Sequence, residues 1–222
     1  MVKGTIRRPR AALVALLGRF GTGTISNAFD KLGLPGVMRS IKPVVPGLRL
    51  CGPAFTVMEV TGEHGRYGPE ELPLGALIDT ARRGDVIVID NGGQPVSTWG
   101  GVASFAAAHK RLGGLVVDGG VRDIDQVAEL RFSIFARHVV PITGKGRIKI
   151  VSINQPVHVD GILVRPGDIV VGDGSGMVCV PAERAAEVAE LAAKQDAADE
   201  KIMLGIRRGL SFAAASRAAG VR

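Results

Sequence analysis

The sequence predicts a single α/β domain. Its 222 residues suit one domain, and 46% hydrophobic with 22% charged residues are close to the averages of water-soluble globular proteins. Short β-rich runs bounded by Gly and Pro alternate with helical patterns, which is the element order of an α/β fold. We divide the chain into a helical N-terminus (about 1–40), an α/β core (about 41–183) and a C-terminal helix (about 184–222).

Two helices are predicted at the N-terminus. Residues 9–20 begin with a proline and carry leucines at helical spacing, and after a GTGT break the segment Ser26-Asn27-Ala28-Phe29 opens a second short helix. Two more helices are predicted inside the core, at about 74–83 and 100–112. A long polar helix follows at about 182–208.

The strands are predicted where apolar runs lie between Gly and Pro residues. They are Leu48–Cys51, Ala54–Val60, Val86–Asp90, Leu115–Asp118, Ile134–Ala136, Ile162–Val164, Ile169–Val171 and Met177–Pro181. Two of them follow the same Gly-Asp dipeptide, Gly84-Asp85 and Gly167-Asp168, which predicts a tight turn before each strand.

Composition excludes several classes of protein. The net charge of +7 favours anionic partners, but one Trp and one Tyr cannot make an aromatic stacking platform for nucleic acid. Two cysteines, Cys51 and Cys179, are too few for a disulfide scaffold and are interpreted as buried thiols. The ALVALL run near the N-terminus is too short for a membrane span. We therefore expect a cytoplasmic protein without membrane or nucleic-acid partners.

The strongest candidate site is the segment LVVDGGVRD, residues 115–123. A buried strand ends at Asp118, Gly119 and Gly120 allow a sharp turn, and Arg122-Asp123 follow where α/β folds collect ligands. The planar guanidinium of Arg122 suits a carboxylate or phosphate, and Asp123 offers a hard oxygen for Mg²⁺. The alternative is structural: Asp123 caps the helix IDQVAEL.

A second candidate is Ser97-Thr98-Trp99-Gly100-Gly101-Val102-Ala103, which opens the Ala-rich helix. Free backbone amides at such a helix start form an anion site, and glycine lets a ligand approach closely. The alternative is that Gly100-Gly101 only form the loop before the helix.

Four stretches of the chain resemble the RraA-like family, which contains the 4-hydroxy-4-methyl-2-oxoglutarate/4-carboxy-4-hydroxy-2-oxoadipate aldolases and the regulator of ribonuclease activity A. They are CGPAFTV, RRGDVIVIDNGG, TWGGVASFAAAHKRLGGLVVDGGVRD and GDGSGMVCVP, in this order and spacing. The similarity runs from about residue 22 to 183. It implies an α-β-β-α sandwich of the swivelling phosphohistidine-like type, assembled as a homotrimer or a hexamer with sites between subunits.

The resemblance also implies roles for individual residues. Arg122 would bind the carboxylate and keto oxygen of a pyruvyl group. Gly100 to Ala103 would line the substrate, and the backbone amides of Gly101, Val102 and Ala103 would help to bind it. Asp123 would hold a divalent metal, Mg²⁺ or Mn²⁺, largely through waters. Glu200 or Asp199 of the neighbouring subunit's C-terminal helix would approach that metal.

One position departs from the family pattern. Aldolase members carry a carboxylate twenty-one residues before the arginine (D-x20-R-D), where it assists proton transfer, but this chain has Gly101 there. General acid–base assistance is worth about 10²–10⁴-fold, so oxaloacetate decarboxylation is expected to outlast aldol cleavage. Regulator members typically lack the metal-binding aspartate as well, whereas Asp123 is present.

The sequence thus predicts a metal-dependent lyase that acts on small 2-oxo or 4-hydroxy-2-oxo dicarboxylic acids and releases pyruvate. One alternative is a non-catalytic regulator that binds an RNA-processing enzyme. The other is an enzyme of the same scaffold with different substrate chemistry, in which His64 or Asp118 replaces the missing carboxylate.

Overall fold

The computed structural model describes residues 1–220, and it confirms the predicted α/β class. The strands are β1 (Val2–Lys3), β2 (Val37–Met38), β3 (Lys42–Pro43), β4 (Leu50–Thr61), β5 (Val86–Trp99), β6 (Gly114–Val121), β7 (Ile134–Val139), β8 (Ile148–Ile153), β9 (Val157–Val159), β10 (Ile162–Val164), β11 (Ile169–Asp173) and β12 (Gly176–Val180). The helices are α1 (Ala11–Leu17), α2 (Thr22–Leu32), α3 (Leu74–Thr80), α4 (Gly101–His109), α5 (Ile124–Leu130), α6 (Ala185–Arg207) and α7 (Phe212–Ala218).

A mixed sheet organises the fold, in the order β2-β12-β11-β4-β5-β6-β7-β3. Strands β4 to β7 run parallel to one another, and β8 pairs antiparallel with the end of β4. The long strand β4 joins two parts of the sheet, because residues 50–53 pair with β11 and residues 54–58 pair with β5. Parallel β5 and β6 therefore bring their carboxyl ends to one edge, where an α/β fold presents its ligand residues.

Apolar side chains alternate between the two faces of the strands and form three packed clusters. One cluster holds Phe55, Val57, Ile87, Ile89 and Leu115 against helices α3, α4 and α5. The opposite face packs on the β9–β10 hairpin. In the third cluster, helices α1, α2 and α6 cover β11 and β12.

Several predicted element boundaries are wrong. The two predicted strands Leu48–Cys51 and Ala54–Val60 are one strand, β4, which continues through Gly52-Pro53. Strand β5 runs on to Trp99, so Ser97 to Trp99 are strand rather than the opening of a helix. Strands β1, β2, β3, β8 and β9 were not predicted, and four of them are only two or three residues long, too short for a periodic pattern.

The glycines of the first candidate motif also need correction. Gly119 and Gly120 do not form a turn after Asp118 but lie inside β6, which continues to Val121. A Cβ on Gly120 would lie 2.8 Å from the carbonyl carbon and oxygen of Val96, so glycine is required by the close approach of β5.

The C-terminal region is two helices rather than one. Helix α6 ends at Arg207, Gly209 adopts φ +92°, and α7 folds back so that Ala215 packs near Gly205. A left-handed glycine just after a helix is a common way to end it.

The predicted resemblance between the two Gly-Asp turns is confirmed. Asp85 and Asp168 each accept a hydrogen bond from the backbone N–H three residues earlier, and both glycines have positive φ. Both aspartates are buried, and Arg8 pairs with Asp85 through two hydrogen bonds of 2.6 and 2.7 Å.

Of the two cysteines predicted to be buried thiols, Cys179 is buried but Cys51 is only half-buried, and both are free thiols. Among residues 1–220, no helix has the length and apolar character needed to cross a membrane.

Candidate functional site

The candidate site lies where β5 and β6 end side by side. Trp99 and Val121 are paired in the parallel ladder, and Gly100-Gly101 and Arg122-Asp123 follow them. The Arg122 N–H donates to the carbonyl oxygen of Trp99 at 3.0 Å, which fixes one segment against the other. The two motifs singled out in the sequence are therefore brought together.

Gly100 lies in direct contact with the charged pair. A Cβ built on it would overlap the Asp123 Oδ2 atom and would lie 3.2 and 3.3 Å from Cγ and Nε of Arg122. The Gly100 backbone is extended, so glycine is required here by space and not by conformation. Arg122 Nε and Asp123 Oδ2 are 3.7 Å apart, and their side chains are 37% and 39% exposed. Both groups are thus available to a ligand.

The start of helix α4 contributes backbone donors. The Gly101 N–H donates to Asp123 Oδ2 at 3.0 Å, and the first intrahelical bond runs from the Ser104 N–H to the Gly100 carbonyl. The N–H groups of Val102 and Ala103 belong to the first turn, which has no intrahelical acceptors. A ligand at this site would therefore use the amides of Val102 and Ala103 first, because the Gly101 amide is already engaged.

Asp123 joins two helices. It occupies the N-cap position of α5 in the left-handed conformation (φ 59°, ψ 39°), but its side chain makes no capping bond to α5. Its carboxylate instead accepts from the first amide of α4. The predicted structural alternative is right about the position of Asp123 and wrong about the helix its carboxylate serves.

A hydrogen-bonded support lies beneath the site. The buried Trp99 ring donates through Nε1 to Ser104 Oγ at 3.1 Å, and Ser104 Oγ donates to the Gly100 carbonyl at 2.9 Å. Ser97 Oγ donates to the Trp99 carbonyl at 2.8 Å. These bonds fix the backbone on which Arg122 and Asp123 converge.

Glu59, which the sequence did not predict as a site residue, is a buried carboxyl group next to these hydrogen bonds. Thr98 Oγ1 donates to Glu59 Oε1 at 2.7 Å, while Oε2 has no hydrogen-bond partner among the described residues. Burial raises the pKa of Glu59 to about 8, against the opposing effect of the Thr98 hydrogen bond and with a further increase from the charge of Asp90. Glu59 lies on the helix-covered face of β4, as do Phe55 and Val57. This alternation along the strand is the sequence pattern that could have identified Glu59 as buried.

Asp118 and His64 do not join the Arg122–Asp123 pair. The Asp118 carboxylate accepts from Arg137 Nε and from the backbone N–H of Asp160, so its oxygens are engaged in a structural ion pair. Arg137 also bonds Asp160 at 2.7 Å. His64 is an exposed loop residue that lies beside Gly146.

The residues present fit a magnesium-type ion only in part. Asp123 supplies a partly exposed carboxylate, and both of its contacts within the chain use Oδ2. Across residues 1–220, no three His, Cys, Asp or Glu side chains cluster to hold a metal, and Glu200 is exposed on α6. Mg²⁺ usually keeps several waters and takes one or two carboxylates, so one protein ligand per chain is compatible with it.

The chain is similar in sequence to known proteins. The model of the RraA-like family, described as Aldolase/RraA, matches residues 22–179. A Halalkalibacterium halodurans protein whose name makes it a candidate 4-hydroxy-4-methyl-2-oxoglutarate aldolase is 36% identical over 181 residues, 81% of this chain and 81% of that protein. The DlpA protein of Legionella pneumophila is 31% identical over 186 residues, which cover 83% of this chain but 30% of DlpA.

Solved structures share the fold. A protein of unknown function from Pseudomonas syringae superposes with a TM-score of 0.84 at 31% identity, covering 94% of this chain and 98% of that one. RraAS2 of Streptomyces coelicolor, described as an unusual member of the RNase ES inhibitor RraA family, superposes with a TM-score of 0.76 at 26% identity. This second match covers 93% of this chain and all of the other.

Proposed function

The chain belongs to the RraA-like family, and from that premise we propose that it is a divalent-metal-dependent lyase for small 2-oxo or 4-hydroxy-2-oxo dicarboxylic acids, with pyruvate as a product. The observation that carries the proposal is the convergence of Arg122, Asp123 and the first turn of α4 on Gly100-Gly101. A cation, a carboxylate and backbone N–H groups within one small surface suit an anionic substrate with a keto oxygen.

Each residue has a chemical role in this proposal. Arg122 binds the substrate carboxylate through its planar fork, and the amides of Val102 and Ala103 share the negative charge. Asp123, with a carboxylate such as Glu200 of a second copy, would hold Mg²⁺ or Mn²⁺. When bound, that ion would act as a Lewis acid that stabilises charge on the 2-keto oxygen. No lysine Schiff base is required.

Gly101 favours decarboxylation of oxaloacetate over aldol cleavage. Loss of CO₂ needs stabilisation of the enolate that forms, which Arg122 and the α4 amides support. Retro-aldol cleavage also needs a base for the hydroxyl proton, and no carboxylate is present at position 101.

The test is pyruvate release from oxaloacetate in the presence of Mg²⁺ or Mn²⁺, together with calorimetric binding of oxalate. We expect EDTA to abolish turnover and added metal to restore it. Arg122→Ala should weaken oxalate binding about 100-fold, because it removes a charge-assisted bidentate partner, and Arg122→Lys should weaken it nearly as much. Arg83→Ala, which removes an exposed arginine elsewhere, is the matched control.

Unchanged oxalate affinity in both Arg122 variants would remove this residue from the site. Full turnover after exhaustive chelation would contradict the metal-dependent mechanism. The second candidate function, a non-catalytic regulator of an RNA-processing enzyme, is favoured by the same glycine at position 101. A wild-type protein that releases no pyruvate with or without metal and does not bind oxalate would support that alternative.

A further inference from the structure

Gln126 fills the space above Gly101. This residue lies in the first turn of α5, and a Cβ built on Gly101 would overlap its Oε1 atom and lie 3.0 Å from its Cδ. Gly101 has an ordinary helical conformation as the first residue of α4, with no positive φ. The position at which the family pattern implies a carboxylate is therefore not an empty gap, because the neutral carboxamide of Gln126 fills the space.

The same segment supplies Arg122, Asp123 and Gln126. Asp123 is the N-cap of α5, and Gln126 lies three residues later in the first turn of that helix. Asp123 contacts Gly100 and accepts from the Gly101 N–H, and Gln126 contacts Gly101. Gln126 is exposed and its Oε1 atom lies beside Gly101, so its carboxamide borders the start of α4.

We propose that Gln126 is a specificity-determining residue that contacts the substituent of a 2-oxo acid beyond its carboxylate and keto groups. This inference rests on the proposed function. A carboxamide has two N–H donors and bears no charge, so the Gln126 side chain can donate hydrogen bonds to a second carboxylate of the substrate. It cannot accept a proton at neutral pH, so it selects substrates without acting as a base.

The experiment uses two ligands of equal length that differ at one end. 2-Oxoglutarate carries a terminal carboxylate, and 2-oxopentanoate carries a methyl group in its place. Binding of each is measured by calorimetry with Mg²⁺ for the wild-type protein, Gln126→Ala and Gln126→Glu. We expect Gln126→Ala to weaken 2-oxoglutarate binding about 3- to 10-fold, the value of one hydrogen bond, and to leave 2-oxopentanoate within about twofold.

Gln126→Glu gives the sharper comparison, because it keeps the size of the side chain and adds a negative charge. It should weaken 2-oxoglutarate binding more than Gln126→Ala does and should leave 2-oxopentanoate nearly unchanged. Glu129→Ala, at an exposed position on the same helix, serves as the control and should change neither affinity.

The outcomes separate this inference from the function on which it rests. Equal losses for both ligands, or an unchanged preference in both variants, would overturn the role of Gln126 while oxalate binding at Arg122 stays intact. If the wild-type protein binds neither oxalate nor either oxo acid, the proposed function fails and the role of Gln126 fails with it.

Discussion

Glu59 is a buried carboxyl group whose only hydrogen bond within the described chain comes from Thr98. Removal from water disfavours the charged form of a carboxyl group, which is the main reason that its pKa is raised from 4.5 to about 8. Near neutral pH the folded protein therefore holds a proton at Glu59 that the unfolded chain has released. Thr98 directly precedes Trp99 and Gly100, so this proton lies close to the backbone that supports the candidate site.

The stability of the protein should reflect this proton. Because the folded state binds it more tightly than the unfolded state, stability falls as the pH rises from about 4.5 to about 8 and levels off above that range. Each unit of pKa shift is worth about 1.4 kcal/mol, so the loss amounts to several kcal/mol. Glu59→Gln, which keeps the shape and cannot ionise, should remove this pH dependence and be more stable than wild type at pH 8.

Urea unfolding at pH 5.5 and pH 8.5 measures the effect, with Glu63→Gln as a control at an exposed glutamate. A wild-type protein whose stability does not differ from that of Glu59→Gln at either pH would show that Glu59 is ionised in the folded state.

The sequence predicted the core strands and the two site motifs, but not how closely neighbouring strands and helices approach one another. The motif residues Arg122 and Asp123, placed after β6, do meet Gly100-Gly101 after β5. The roles of Gly119, Gly120 and Gln126 were not predictable from periodicity, because each depends on a neighbour distant in sequence. Glycine was interpreted as a turn signal, whereas in β6 it allows β5 to pack closely.

Helices α4 and α5 meet at Gly101 and Gln126. This contact leads to a prediction about introducing a carboxylate at position 101. Gly101→Asp alone places a side chain where Gln126 lies, so Gln126 must move or the helices must separate. Combining Gly101→Asp with Gln126→Ala frees that space. We expect the double variant to gain cleavage of 4-hydroxy-4-methyl-2-oxoglutarate, by up to about 10²-fold, and the single variant to gain less.

Aldol cleavage is measured by pyruvate release, with oxalate binding as the check that the site remains formed and Gln126→Ala alone as the control. A folded, oxalate-binding double variant without any gain would show that absence of a carboxylate at position 101 does not limit this reaction.

A single chain leaves the candidate site open and exposes apolar side chains near it. Val102 is 86% and Phe105 62% exposed on α4. A second exposed apolar group lies on α6, α7 and their connection: Met203, Leu204, Ile206, Leu210 and Phe212. Apolar groups of this kind mark contact surfaces, and we propose that other copies of the chain cover them in the homotrimer or hexamer that the family resemblance implies. Glu200 precedes Met203 by three residues and would be carried to the same contact.

A site shared between copies predicts complementation between two inactive variants. Arg122→Ala removes the substrate-binding cation from one copy, and Glu200→Gln removes the predicted metal ligand contributed by its neighbour. Each variant alone should lose most metal-dependent turnover. When the two are co-expressed and assemble at random, about a quarter of the sites combine an intact Arg122 from one copy with an intact Glu200 from the next, so turnover should recover to roughly that fraction of wild type. Light scattering establishes the oligomeric state, and co-expression of Arg122→Ala with Arg122→Lys is the control in which no site can recover. A monomeric wild-type protein, or mixed oligomers that stay inactive, would show that Glu200 does not complete the site of another copy.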